Sequence, residues 1–178
     1  MANKNYTAAV IGTGRIGFTL GFDKKREQPA SHTMALMNNR RVHVIAGCDS
    51  DRFRLERWAD YVGNPFCSTE TAPFFATVKP EILVISVNED SHLKVALEAL
   101  NSNPKLIILE KPVALNMKQG YELKFVADLR KVPVLVNHER RFAEDYRIAK
   151  EYISRIGAVQ TVNARLDSGL YVYKPEKE

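Results

Sequence analysis

The residues able to do chemistry in this sequence sit at the ends of short apolar runs. Gly12-Thr13-Gly14-Arg15-Ile16-Gly17 is a G-x-G-x-x-G that follows the run TAAVI. In such a motif the first glycine permits a tight turn and the second lets backbone approach a pyrophosphate. The third lets a helix pack closely on a strand, and the helix N-terminus offers free amides to the phosphates. Asp49, in VIAGCDSD, ends a second run. A carboxylate there accepts hydrogen bonds from ribose hydroxyls and repels a 2′-phosphate. Glu110-Lys111-Pro112 ends a third run, LIIL. A lysine at such an end can reach a reacting carbon, where its charge stabilises the alkoxide that develops during hydride transfer. Proline restricts the residue before it and can take a cis bond. The plainer reading of the tripeptide is an exposed charge pair before a turn.

A parallel sheet would set all of these residues along one edge. Strands are expected at 7–12, 42–48, 81–87, 105–109 and 132–137, short and rich in Val and Ile. The near-continuous apolar runs from 82 and 106 suit strands covered on both faces. Helices are expected at about 15–20, 30–39, 51–62, 90–101, 116–130 and 142–156. Strands alternating with helices imply right-handed crossovers and an α/β, doubly wound parallel sheet. In such a sheet ligands sit beyond the carboxyl ends of the strands. The loop Ser86-Val87-Asn88, continuing through Glu89, Asp90 and Ser91 to His92, should therefore face the same ligand as the glycines. Asp90 or Ser91 would also serve as a helix cap, and His92 would equally serve as a packing residue.

The polar segment 21–29 (GFDKKREQP) reads as a loop inserted into the first crossover. It accounts for Asp49 lying farther from the glycines than the usual about 20 residues. Asp49 favours NAD, and Arg15 and Arg52 leave NADP open. Asp49-Ser50-Asp51 also has the form of a D-x-D metal site, which the glycine motif upstream makes the lesser reading, and no metal is expected. Asp51 suits a helix N-cap.

At 178 residues, 45% hydrophobic and 26% charged, the chain suits one well-packed domain with a small appendage. It contains no run of about 18 apolar residues and no secretory signal pattern, so no membrane association is expected. Cys48 and Cys67 lack metal-ligand spacing and read as reduced thiols of a cytoplasmic protein. A formal charge of +5 raises the question of nucleic acid. The basic residues are scattered without an aromatic-interleaved stripe, so no nucleic-acid partner is expected. Tyr146 and Lys150 form a Y-x-x-x-K like that of short-chain dehydrogenases. The glycine spacing is wrong for that class, and a Tyr/Lys pair at i, i+4 on a helix is more simply packing plus solvated charge.

GTGRIG, Asp49, the VNEDSH loop and above all EKP together resemble the glucose-fructose oxidoreductase/inositol dehydrogenase (Gfo/Idh/MocA) family. The stretch VLVNHERRFAEDYRIAKEYISRIGAVQTV (134–162) is similar to that family's passage out of the cofactor domain. The resemblance implies a Rossmann domain over 1–140 that binds NAD or NADP. It implies that 141–178 forms the crossover helix and first strand of a second α/β domain, with the alternating run 158–168 (AVQTVNARLDS) as that strand. It further implies oxidation of a sugar, inositol or similar polyol, and a possible homo-oligomer. Lys111 matches the family's EKP lysine, Glu110 and His92 belong to the cofactor-facing loops, and Asn137 lies where the last Rossmann strand reaches the site. The family's catalytic histidine belongs to the second domain and has no match here; His138 does not fit that motif. The expectation is thus the cofactor-binding part of a dehydrogenase, or alternatively a catalytically incompetent fragment or an NAD(P)-sensing domain.

Overall fold

Short Val/Ile/Leu runs bury both faces only when helices cover a sheet on both sides, and that is the arrangement found. The structure, a computed structural model, describes residues 5–165. One unit ends at His138 and a second begins at Glu139. In the first, strands β1 (Tyr6–Ile11), β2 (Val42–Cys48), β3 (Phe66–Ser68), β4 (Ile82–Ile85), β5 (Leu106–Leu109) and β6 (Val134–Val136) form a six-stranded sheet in the order β3-β2-β1-β4-β5-β6. Every pairing is parallel. This is the Rossmann order, and its switch point lies between β1 and β4.

Alternation along the strands divides the core. On one face Ala9, Ile11, Leu83, Ile85, Ile107 and Leu109 pack with α4 (His92–Asn101) and α5 (Met117–Arg130) through residues such as Val95, Leu100 and Leu123. Ala8, Val10 and Val84 point to the other face and meet Phe18, Leu36 of α1 (His32–Met37), and Leu55 and Trp58 of α2 (Arg52–Val62). Asp51 caps α2, accepting from the amides of Phe53 and Arg54 at 3.0 and 3.1 Å. Ser91, by contrast, makes no side-chain cap at α4; a short 3-10 turn, Glu89–Ser91, leads into that helix.

The expected helix at 15–20 is instead a set of turns followed by a 3-10 helix, Thr19–Phe22. The inserted segment is the cause. The amides of His32 and Thr33 donate to the carbonyls of Ile16 and Gly17 at 3.1 and 3.0 Å. Those carbonyls would serve residues 20 and 21 in an unbroken helix. α1 thus resumes the helix that the glycine motif begins, with the insertion looped out between them. Phe22 of the loop stacks edge-on against Phe18 and Tyr61, with ring centroids 5.2 and 5.5 Å away, which pins the insertion to α2.

β3 and α3 (Thr71–Thr77) are additions to the expected elements. In the second unit, α6 spans Glu144–Ile153. Residues 158–165 of the expected strand carry no strand, since an extended segment needs a partner for its backbone groups. The rest of that stretch, like the tail, lies outside the described residues.

Thr33 joins the resumed helix to the core. Its hydroxyl donates to Gly17 O at 2.6 Å and accepts from Trp58 Nε1 at 2.9 Å, and both side chains are fully buried. Thr33→Val keeps the shape but leaves the indole N–H without its acceptor. Urea unfolding should show a loss of about 1–3 kcal/mol.

Candidate functional site

The glycine motif forms the turn out of β1, pressed against the end of β4. Gly12 has φ 92°, a region that favours glycine, and a Cβ there would lie 2.5 Å from the backbone of Ser86. A Cβ on Gly17 would lie 2.0 Å from Gly12 O. Packing inside the chain therefore demands both glycines. Gly14 differs: a Cβ there would meet nothing nearer than Arg54 Nη1 at 3.9 Å. Its bare backbone faces open space beside Thr13 and the exposed Arg15, as close approach of a pyrophosphate requires.

Asp49 holds this turn to the end of β2. Its Oδ2 accepts from the amide and hydroxyl of Thr13 at 2.6 and 3.0 Å, and its Oδ1 accepts from the Asp51 amide at 2.9 Å. A carboxylate has about four acceptor positions, so one remains, on Oδ1. The acceptor capacity left for a ribose hydroxyl is thus on the oxygen that Thr13 does not occupy. The D-x-D pair is likewise engaged, Asp49 by Thr13 and Asp51 by the helix amides. No group of three metal-ligating side chains occurs among the described residues.

Arg52 lies along α2 toward Glu56 (2.8 Å). Arg54, which the sequence did not single out, pairs with Asp51 (3.2 Å) and is the arginine beside Gly14. Its only sequence signal was a position in the first turn after the acid. Burial, followed by the neighbouring Asp49 charge, pushes the Cys48 thiol up to about 12, and Cys48 is packed in the core.

The loop after β4 is built into the glycine turn. Ser86 is buried and its hydroxyl donates to Gly12 O at 2.7 Å, while Val87 is half-buried and Asn88 exposed. His92 is 1% exposed. Its Nδ1 and Nε2 face the carbonyl oxygens of Pro112 (2.6 Å) and Val87 (3.0 Å). The ring thus ties the β4 loop to the loop after β5.

Glu110 and Lys111 stand at the end of β5, and the Lys111–Pro112 peptide is cis. The two charges diverge, for Lys111 is exposed and Glu110 is 6% exposed. Glu110 Oε1 accepts from Asn137 Nδ2 at 2.6 Å and from His32 Nε2 at 2.8 Å, and Oε2 accepts from the Lys111 amide at 3.3 Å. Burial alone would raise its pKa. The His32 and Asn137 hydrogen bonds, the charge of His32 when protonated, and the Lys111 amide outweigh burial and hold the carboxyl below the usual carboxylate range. No local pattern singles out His32, which lies beyond the insertion and 78 positions from Glu110. Tyr146 and Lys150 lie on α6 with Tyr146 about half exposed.

This geometry coincides with a family match. Residues 6–138 match the oxidoreductase family with an NAD-binding Rossmann fold (Gfo/Idh/MocA), and the chain belongs to that family. An uncharacterized oxidoreductase, C115.03, of Schizosaccharomyces pombe is 24% identical over 161 residues, covering 89% of this chain and 41% of its own length. Among solved structures, myo-inositol 2-dehydrogenase from Lactobacillus plantarum superposes with a TM-score of 0.72 at 24% identity, over 85% of this chain and 42% of that one. The WlbA dehydrogenase from Bordetella pertussis, solved with NADH and UDP-GlcNAcA, gives 0.73 at 18% identity, over 87% and 41%. These structural likenesses establish the fold, and the chain spans less than half the length of each of these relatives.

Because Glu110 has a lowered pKa when folded, its contribution to stability is complete above the ordinary carboxylate range and is lost as pH falls through its own lower value. Urea midpoints measured from about pH 7 down to pH 3 should fall more steeply for the native chain than for Glu110→Gln. Parallel curves would show that the carboxylate makes no such contribution.

Proposed function

We propose that this chain is the cofactor-binding part of a dehydrogenase that moves a hydride between a sugar, inositol or similar polyol and a nicotinamide dinucleotide, with NAD preferred over NADP. The observation that carries this reading is Gly14, whose missing side chain serves no packing need of the chain and leaves backbone open at the head of the turn. Residues Gly12 to Gly17 would hold the pyrophosphate. Asp49 would accept from the adenosine ribose through its remaining position and repel a 2′-phosphate, with Arg54 and Arg15 moderating that repulsion. Ser86, Val87, Asn88, Glu110, Lys111 and Asn137 border the half of the sheet beyond the switch point, where the nicotinamide end would lie. The dinucleotide, when bound, supplies the hydride acceptor. Lys111 would place its ammonium against the substrate oxygen and stabilise the negative charge that grows there as the hydride leaves. Residues 1–140 are proposed as the cofactor domain and 141–178 as the start of a substrate domain.

Gly14→Ala should fold as stably as the native chain yet bind NADH at least about tenfold more weakly, since the methyl group stands between backbone and phosphate. Gly12→Ala and Gly17→Ala should lose stability instead, because their methyl groups overlap backbone. NADH titration beside urea unfolding separates the effects. A chain that binds neither NAD(H) nor NADP(H) would refute the proposal. In the complete enzyme, Lys111→Ala should cut polyol oxidation by about 10² or more while leaving dinucleotide affinity within a few-fold.

A further inference from the structure

Among the described residues, Glu110 is the acidic side chain buried where the nicotinamide end would lie, and each of its oxygens has a donor. Three parts of the fold meet there: the residue after β5, which is Glu110 itself, the residue after β6, and the first residue of α1. Asn137 and His32 both donate to Oε1, and the Lys111 amide donates to Oε2. Every one of these contacts favours the ionised form and fixes its orientation. His32 reaches this position because the helix resumes after the insertion, with its own amide bonded to Ile16 O at 3.1 Å. Its side chain is 12% exposed, so the pair is shielded from water and its charge is felt nearby.

Resting on the dinucleotide reading above, we propose that His32 is a positioning residue that acts through Glu110. It fixes where the Glu110 carboxylate lies at the nicotinamide end, and the charge held in that place biases the site toward the oxidised, cationic ring over the reduced, neutral one. Lys111, exposed and positive, has the opposite bias. The clamped carboxylate offsets it, so the site holds NAD⁺ without the lysine driving the equilibrium toward NADH. Asn137 shares the clamp but carries no charge, and His32 is the partner delivered from the other half of the sheet.

The test is isothermal titration of NAD⁺ and NADH, each separately, into the native chain and into Glu110→Gln, His32→Leu and His32→Gln, at about pH 8, above the ordinary histidine range. The readout is the ratio of the two dissociation constants. Glu110→Gln should shift that ratio toward NADH by about tenfold, the size expected for one charge several ångströms from the ring at a half-solvated site. His32→Leu should shift it in the same direction. His32→Gln, whose amide can donate from the place of Nε2, should restore it to within about twofold of native. If the variants weaken both cofactors equally, or leave the ratio unchanged, His32 and Glu110 only pack and the inference is overturned while dinucleotide binding stands. If His32→Gln behaves as His32→Leu, the donor role assigned to His32 is overturned. If the native chain binds neither cofactor, the dinucleotide reading fails and takes this inference with it.

Discussion

The turn leaving β1 touches the end of β4 with no side chain between them, and the rest of the site is arranged around that contact. Gly12 lies against the Ser86–Val87 peptide, Gly17 lies over Gly12, and the Ser86 hydroxyl holds the Gly12 carbonyl. A larger residue at Gly12 would push the turn off the end of β4 at the switch point, and one at Gly17 would collide with Gly12 itself. Asp49 fastens the same turn from the β2 side through Thr13. The turn is therefore held by both of its neighbours, which leaves the backbone around Gly14 as its open surface.

The second constraint is the charge at the end of β5. Glu110 and Lys111 are adjacent in sequence but serve different surroundings, one buried among donors and the other exposed. A buried carboxylate without donors would be costly. Asn137 and His32 remove that cost by bonding the same oxygen. In doing so they tie the last strand and the resumed helix to the β5 edge. His92 ties the preceding loop to the same edge through the carbonyls of Val87 and Pro112. The loops after β4, β5 and β6 thus share one polar framework.

Much of this was readable from residue order. The strands carrying the glycines, Asp49 and Glu110-Lys111-Pro112 announced themselves as apolar runs, and the inserted loop explained the late arrival of Asp49. Other parts were hidden for physical reasons. β3 is too short to show alternation, and α3 has Pro73 in its first turn, where proline is tolerated although it reads as a break. The helix opened by the glycine motif is split by the insertion, so its periodicity is interrupted in sequence and restored only through the Ile16 and Gly17 carbonyls. His32 was missed for the same cause. Its partner is a tertiary one, and no local pattern marks a histidine at the start of a six-residue helix.

A dinucleotide bound as proposed would lie across the turn after β1 and the loops after β4 and β5. Hydrogen–deuterium exchange with and without saturating NADH tests that placement, because it reports position as well as binding. Exchange should slow at the amides of Thr13 to Gly17, Ser86 to Asn88, and Glu110 and Lys111, with α3 unchanged. Protection confined to other segments, or none at saturating NADH, would contradict it.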